Sequence, residues 1–178
     1  MTILDVHNHV WRYPEHFNQA AMSRQPGQTE EQIKQQRDRP VERIVREMEG
    51  FNELCLVVGL KSWNTLGIEV PNDYLSEVVK AYPGKLWWAA ALNLTDRGAA
   101  EEVERCVKEL GAVSLGEIGP GYGNFRVDDP RCYSVYETCV SLDIPIIMHS
   151  GPMNDPKGYL KNGNLEAADQ WRVSYLGR

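Results

Sequence analysis

Residues 2–9 read TILDVHNH, a short apolar run that turns polar at its end and sets His7 and His9 one residue apart. In an extended strand residues i and i+2 share a face, so His7 and His9 project together while Leu4 and Val6 turn away. Two imidazoles about 7 Å apart at the backbone can bend toward a single ion. The pair therefore reads as two arms of a metal clamp, with Asp5 on the same parity to orient a ligand. The plainer alternative is two solvated histidines. Convergence of further ligands at the same place decides between them.

Outward from this stretch the chain alternates apolar runs with helical periods. ELCLVVGL (53–60), KLWWAAALN (85–93), AVSLGEIG (112–119) and IPIIMHSG (144–151) read as four more strands. Between them lie PVERIVREMEGF (40–51), a helix with Pro40 at its start, and NDYLSEVVKAY (72–82), a helix capped by Asn72 or Asp73. DRGAAEEVERCVKELG (96–111) and DDPRCYSVYETCVSLD (128–143) complete the set, and TEEQIKQQRDR (29–39) makes a further helix behind a Thr29 cap. KSWNTLGIEVP (61–71) and PMNDPKGYLKNGN (152–164) read as loops, and the tail LEAADQWRVSYLGR (165–178) starts as a helix. Five apolar strands separated by helices specify an α/β fold of βα units, a parallel sheet covered on its outside.

In such folds chemistry gathers at the carboxyl ends of the strands. On the fourth strand Val113, Leu115 and Glu117 share a face; on the fifth, Pro145, Ile147 and His149 do. Each run passes from apolar to ionisable at its end, as the first does. The expected metal ligands are His7, His9, His149 and Glu117, with Glu117 also the candidate catalytic carboxylate. Trp11, Arg12 and Trp63 lie in loops past the first two strands and are expected to contact substrate, whereas His16 reads as a surface-loop histidine. GPGYGNF (119–125) opens no immediate helix and reads as an active-site loop rather than a phosphate cradle.

The bulk properties narrow the class. The 178 residues are 42% hydrophobic and 25% charged, suiting one domain over 1–178. A net charge of −6 argues against nucleic acid or an anionic membrane as partner. The longest apolar run, Leu86 to Leu92, is far too short for a membrane span, and no basic, apolar leader precedes Ile3. The four cysteines form no CxxC pair, which fits free thiols in a cytoplasmic protein acting on a small molecule.

DVHNH, GEIGP and FRVDDPRCYSVYETCVSLDIPIIMHSG together resemble the amidohydrolase superfamily, and most nearly its amidohydrolase-related branch, which includes the aminocarboxymuconate-semialdehyde decarboxylase type. The resemblance covers roughly residues 1–164. It implies a TIM-like (β/α)8 barrel with a divalent metal, zinc foremost and manganese or magnesium as alternatives, held by the residues matching His7, His9 and His149. GEIG before IIMHS is also similar to the TatD-like metal-dependent deoxyribonucleases, whose fourth-strand Glu is a ligand; this is the family argument for Glu117. Family members carry another histidine near the sixth strand and an Asp at the eighth. Here no His follows His149, and the last aspartates, Asp155 and Asp169, fall in a loop and an expected helix. A full barrel takes about 250 residues, so this chain holds about five of the eight units. The expected function is a metal-dependent hydrolase using a metal-activated water. The alternatives are a non-oxidative decarboxylase on the same scaffold and a non-catalytic remnant. Open sheet edges lead one to expect self-association.

Overall fold

Five strands lie side by side in one parallel sheet, in the order in which the chain makes them. They were obtained from a computed structural model that describes residues 2–22, 27–51, 53–119, 122 and 125–149. The sheet strands are β1 (Ile3–Asn8), β2 (Glu53–Val58), β5 (Leu86–Ala90), β6 (Ser114–Ile118) and β7 (Ile146–Met148). Around them run α1 (Glu30–Arg37), α2 (Val41–Glu47), α3 (Asn72–Lys80), α4 (Ala99–Lys108) and α5 (Tyr133–Ser141), the last preceded by a 3-10 turn at Pro130–Cys132. Each strand of this sheet pairs with the next sheet strand along the chain, which is the winding of a β/α barrel over its first five units.

The middle strands carry apolar residues on both faces because both faces are covered. Cys55, Val57, Trp88, Ala90 and Leu115 are buried in one core with Val41 and Ile44 from α2 and Met48 at its end, Leu75 and Val79 from α3, and Val103 and Cys106 from α4. α1 starts where expected: the Thr29 hydroxyl accepts from the Gln32 N–H at 3.2 Å, and the Gln32 side chain accepts from the Thr29 N–H at 2.9 Å. That reciprocal pair satisfies two amides the first turn leaves open.

Three local expectations are corrected. The stretch 61–71 is not all loop: β3 (Lys61–Ser62) and β4 (Ile68–Glu69) form a small antiparallel hairpin, closed by the Ser62 hydroxyl donating to the Ile68 carbonyl at 3.0 Å. Neither Asn72 nor Asp73 caps α3; Pro71 holds the cap position, and Asn72 lies inside the first turn. The buried Asn72 amide is needed elsewhere. It pairs with both the N–H and the carbonyl of Ala91, at 2.9 and 3.0 Å, where the chain has left β5 and lost its ladder partners. Val113 lies before β6 and is 41% exposed, so it does not share the buried face of Leu115 and Glu117.

The sheet ends at β1 and β7, each paired on one side among the described residues. On β1, Leu4 and Val6 are 57% and 56% exposed. The expected tail helix from Leu165 and the loop 152–164 lie outside the described residues. Among the described residues, no helix is long and apolar enough to cross a membrane.

Candidate metal centre

Strand ends bring the site together from three directions. β1 delivers His7 and, just beyond its end, His9; β6 delivers Glu117; the residue after β7 is His149. Backbone bonds fix these ends to one another. The Glu117 N–H donates to Gly59 O at 2.7 Å, Gly59 N–H donates to Gly116 O at 3.0 Å, and His149 N–H donates to Ile118 O at 2.8 Å. Gly116 has φ +149°, and a Cβ there would stand 2.7 Å from both the Cβ and the carbonyl oxygen of Ile147. Only glycine lets β6 and β7 approach so closely at the point where Glu117 enters the site.

The ligand atoms then meet. His7 Nε2 and His9 Nε2 are 3.3 Å apart, and Glu117 Oε2 stands 3.6 Å from the first and 3.4 Å from the second. His9 Nδ1 lies 2.9 Å from the Val58 carbonyl, which can only accept, so Nδ1 carries the hydrogen. With Nδ1 engaged there, Nε2 is the ring atom that faces a carboxylate oxygen of Glu117. A positive charge among these atoms, whether a proton or a metal ion, is what lets two ring nitrogens and a carboxylate stand so close. Atoms 2.0–2.2 Å from one tetrahedral ion stand roughly 3.3–3.6 Å apart, which is the spacing seen. The donor set therefore fits a divalent ion. Among the described residues these three form a group with all ligand atoms within 4.8 Å of one another.

Glu117 is 5% exposed. Burial pushes its carboxyl up, but the hydrogen bond with His9 and the charge of and hydrogen bond from His149 outweigh burial, so it is held below the usual range. It is ionised at neutral pH. The second oxygen, Oε1, accepts from His149 Nδ1 at 2.5 Å. His149, the other expected ligand, thus stands against Glu117, with its Nε2 buried and without a hydrogen-bond partner among the described residues. Asp5 was expected to orient an imidazole. It accepts instead from the His7 N–H at 3.0 Å and the Asn8 amide at 3.2 Å, fixing the backbone under the pair.

Of the expected substrate contacts, Trp11 stacks on His9, with ring centroids 5.6 Å apart and planes 24° apart, and its indole N–H donates to Arg37 O at 2.6 Å. It braces the ligand from the side. Arg12 reaches Glu42 at 3.3 Å and Asp38 at 3.8 Å, with 39% of its side chain exposed. Trp63 sits between β3 and β4, 43% exposed. His16 is no surface residue: it is 8% exposed, its ring packs against Tyr74 at 4.6 Å, and Nδ1 accepts the Arg12 N–H at 3.1 Å. Burial lowers its pKa, as expected for a neutral acceptor.

Sequence reasoning passed over Tyr122. Its ring lies 5.6 Å from that of His149, it is 9% exposed, and burial together with the Glu117 charge raises its phenol pKa. The available signal was its place in GPGYGNF, directly after the strand that carries Glu117.

Comparison with known proteins supplies the remaining findings. Residues 4–173 match the family model described as Amidohydrolase. A gamma-resorcylate decarboxylase from a Polaromonas species is 37% identical over 84 residues, 44% of this chain and 26% of that protein. A 2-keto-4-carboxy-3-hexenedioate hydratase from a Sphingobium species is 28% identical over 106 residues, 55% of this chain and 31% of that protein. The crystal structure of a 5-carboxyvanillate decarboxylase from Novosphingobium aromaticivorans, with bound manganese, superposes with a TM-score of 0.67 at 15% identity. That match covers 93% of this chain and 55% of the solved one, so the five-stranded sheet corresponds to about half of a barrel. The matched stretches of the two curated relatives span less than a third of their lengths.

Proposed function

Because the chain belongs to the amidohydrolase family, we propose that His7, His9 and Glu117 hold one divalent ion and that the protein decarboxylates a small aromatic or unsaturated carboxylic acid. The observation carrying this reading is the convergence of His7 Nε2, His9 Nε2 and Glu117 Oε2 at 3.3–3.6 Å. Bound there, a divalent ion supplies a Lewis acid that grips a substrate carboxylate or polarises water. The protein does the rest. Val58 and Trp11 orient His9, Asp5 fixes the strand that carries His7, and the ionised Glu117 neutralises part of the ion's charge. Arg12 and Trp63 offer an exposed guanidinium and an aromatic face for a planar acid. All three relatives described above act on, or are named for, carboxylate-bearing substrates, which supports this choice of substrate class.

Hydrolysis, or addition of water, is the second reading, and the stretch shared with a hydratase favours it. Zinc is the first ion to test, then manganese and magnesium. A cytoplasmic location accords with four buried free cysteines. Metal content and carbon dioxide release separate the readings: the 178-residue chain, dialysed against each ion, is assayed on hydroxybenzoates and carboxymuconate-type acids, with lactones in parallel. One ion per chain with metal-dependent carbon dioxide release is expected. One ion with lactone opening alone would support the second reading, and no stoichiometric ion would refute both.

A further inference from the structure

Gly119 follows β6 directly, is buried, and makes no use of the left-handed backbone that glycine allows. What it provides is room. A Cβ there would stand 2.6, 2.7 and 3.0 Å from three atoms of the Tyr122 ring, well inside van der Waals contact. The Tyr122 N–H donates to Gly119 O at 2.8 Å, so the chain turns back at once and lays the ring against the strand end. The residue is 9% exposed, its ring lies 5.6 Å from that of His149 at a tilt of 34°, and its phenol is hydrogen-bonded with Glu117. We infer that Tyr122 is a positioning residue of the metal centre: its O–H donates to the Glu117 carboxylate and holds it in the orientation that meets the histidine pair.

The need for such a residue follows from how the ligands arrive. His7 and His9 share β1, whereas Glu117 reaches them from β6, with two other strands between. A glutamate has three side-chain torsions, so its two oxygens must be aimed. His149 Nδ1 lies 2.5 Å from Oε1, and Oε2 stands 3.4 and 3.6 Å from His9 and His7. An ionised carboxylate only accepts, and its two oxygens offer about four lone-pair sites, so a further donor can be seated. The phenol supplies that donor from the continuation of the strand that carries Glu117. A buried phenol itself calls for a partner, which a ring placed there for packing alone would not need. Carboxylates that bind metals are in turn hydrogen-bonded by outer partners, and Tyr122 fills that place. The assignment leaves His149 free to serve as the ligand expected from the sequence.

This inference rests on the proposed metal centre, and the experiment separates the two. Tyr122→Phe removes only the O–H. Tyr136→Phe is the control, because that phenol, on α5, donates to the Val127 carbonyl at 2.9 Å. Zinc affinity is read by competition with a chromophoric chelator. The infrared difference between zinc-bound and zinc-free chains reports the Glu117 carboxylate, its band identified by its loss in Glu117→Gln. Wild type should bind zinc. Tyr122→Phe should bind it about 10–100-fold more weakly with the band shifted, and Tyr136→Phe should stay within about threefold with the band in place. Affinity in Tyr122→Phe within about threefold of wild type, or an unmoved band, would overturn the inference while leaving the metal centre standing. Equal weakening in Tyr136→Phe would assign the loss to packing and overturn it too. A wild type that binds no zinc would sink the metal centre and this role with it. Should Tyr122→Phe fail to fold, Gly119→Ala decides, since it keeps the phenol and drives its ring from the strand end. Weakening of about 10-fold or more is expected there, and unchanged affinity would overturn the inference.

Discussion

Replacing Glu117 by Gln keeps the shape of the side chain and removes one charge at the middle of the site. The carboxylate supplies one of three converging ligand atoms, and the two imidazoles left behind cannot by themselves enclose an ion. Loss of an outer partner costs about 10–100-fold in metal affinity, so loss of a direct anionic ligand should cost at least about 100-fold. Stability of the metal-free chain should also fall. A hydrogen bond to a charged group is worth about 1.5–3 kcal/mol, and the amide oxygen of Gln retains part of the contact with His149 Nδ1, so the expected loss is about 1–2 kcal/mol. The sign follows from the competition already described: burial favours the neutral form, yet the histidine partners win and hold the carboxyl down. Zinc affinity is measured by chelator competition, and stability by urea unfolding in EDTA. A Gln variant that binds zinc within threefold of wild type, or that gains stability without metal, would refute the reasoning.

Gly116→Ala should destabilise the chain by about 3 kcal/mol or more, since a glycine-only backbone conformation and an overfilled contact with Ile147 each cost about 1–3 kcal/mol; a change under 1 kcal/mol in urea would contradict the close approach of β6 and β7. Glu102, hydrogen-bonded to Arg105 and Asn72, has its carboxyl held down to about 2. A carboxylate depressed in the folded state stabilises above its ordinary value of 4.5 and loses that contribution as pH falls through its folded value. The stability gap between wild type and Glu102→Gln should therefore be full at pH 6 and close toward pH 2, and a gap that widens on acidification would reverse the assignment. The 178-residue chain by itself should associate through its sheet edges, where Leu4 and Val6 are exposed, and Leu4→Lys with Val6→Lys should weaken association. Sedimentation equilibrium showing a strict monomer over a concentration series would refute this.

Periodicity made much of the protein legible in one dimension. The strand period of two put His7 and His9 on one face, and the run of strand, helix, strand predicted the parallel order from β1 to β7. Glu117 stood out as the carboxylate at the end of its strand, where the histidines of two other strands also end. Other outcomes depended on what lay across the fold. Asn72 looked like a cap because its type favours caps, but the unpaired backbone of Ala91 claimed its amide. His16 looked exposed in a polar loop, yet Tyr74 and the Arg12 N–H enclose it. The partition of Glu117 between His149 and the histidine pair depends on the register of β6 against β7 and on side-chain torsions, which no local pattern encodes. Residue type and spacing therefore determined which chemistry reached the strand ends. Three-dimensional packing alone decided which oxygen and which nitrogen face each other, because the partners lie 32 residues apart in sequence and 2.5 Å apart in space.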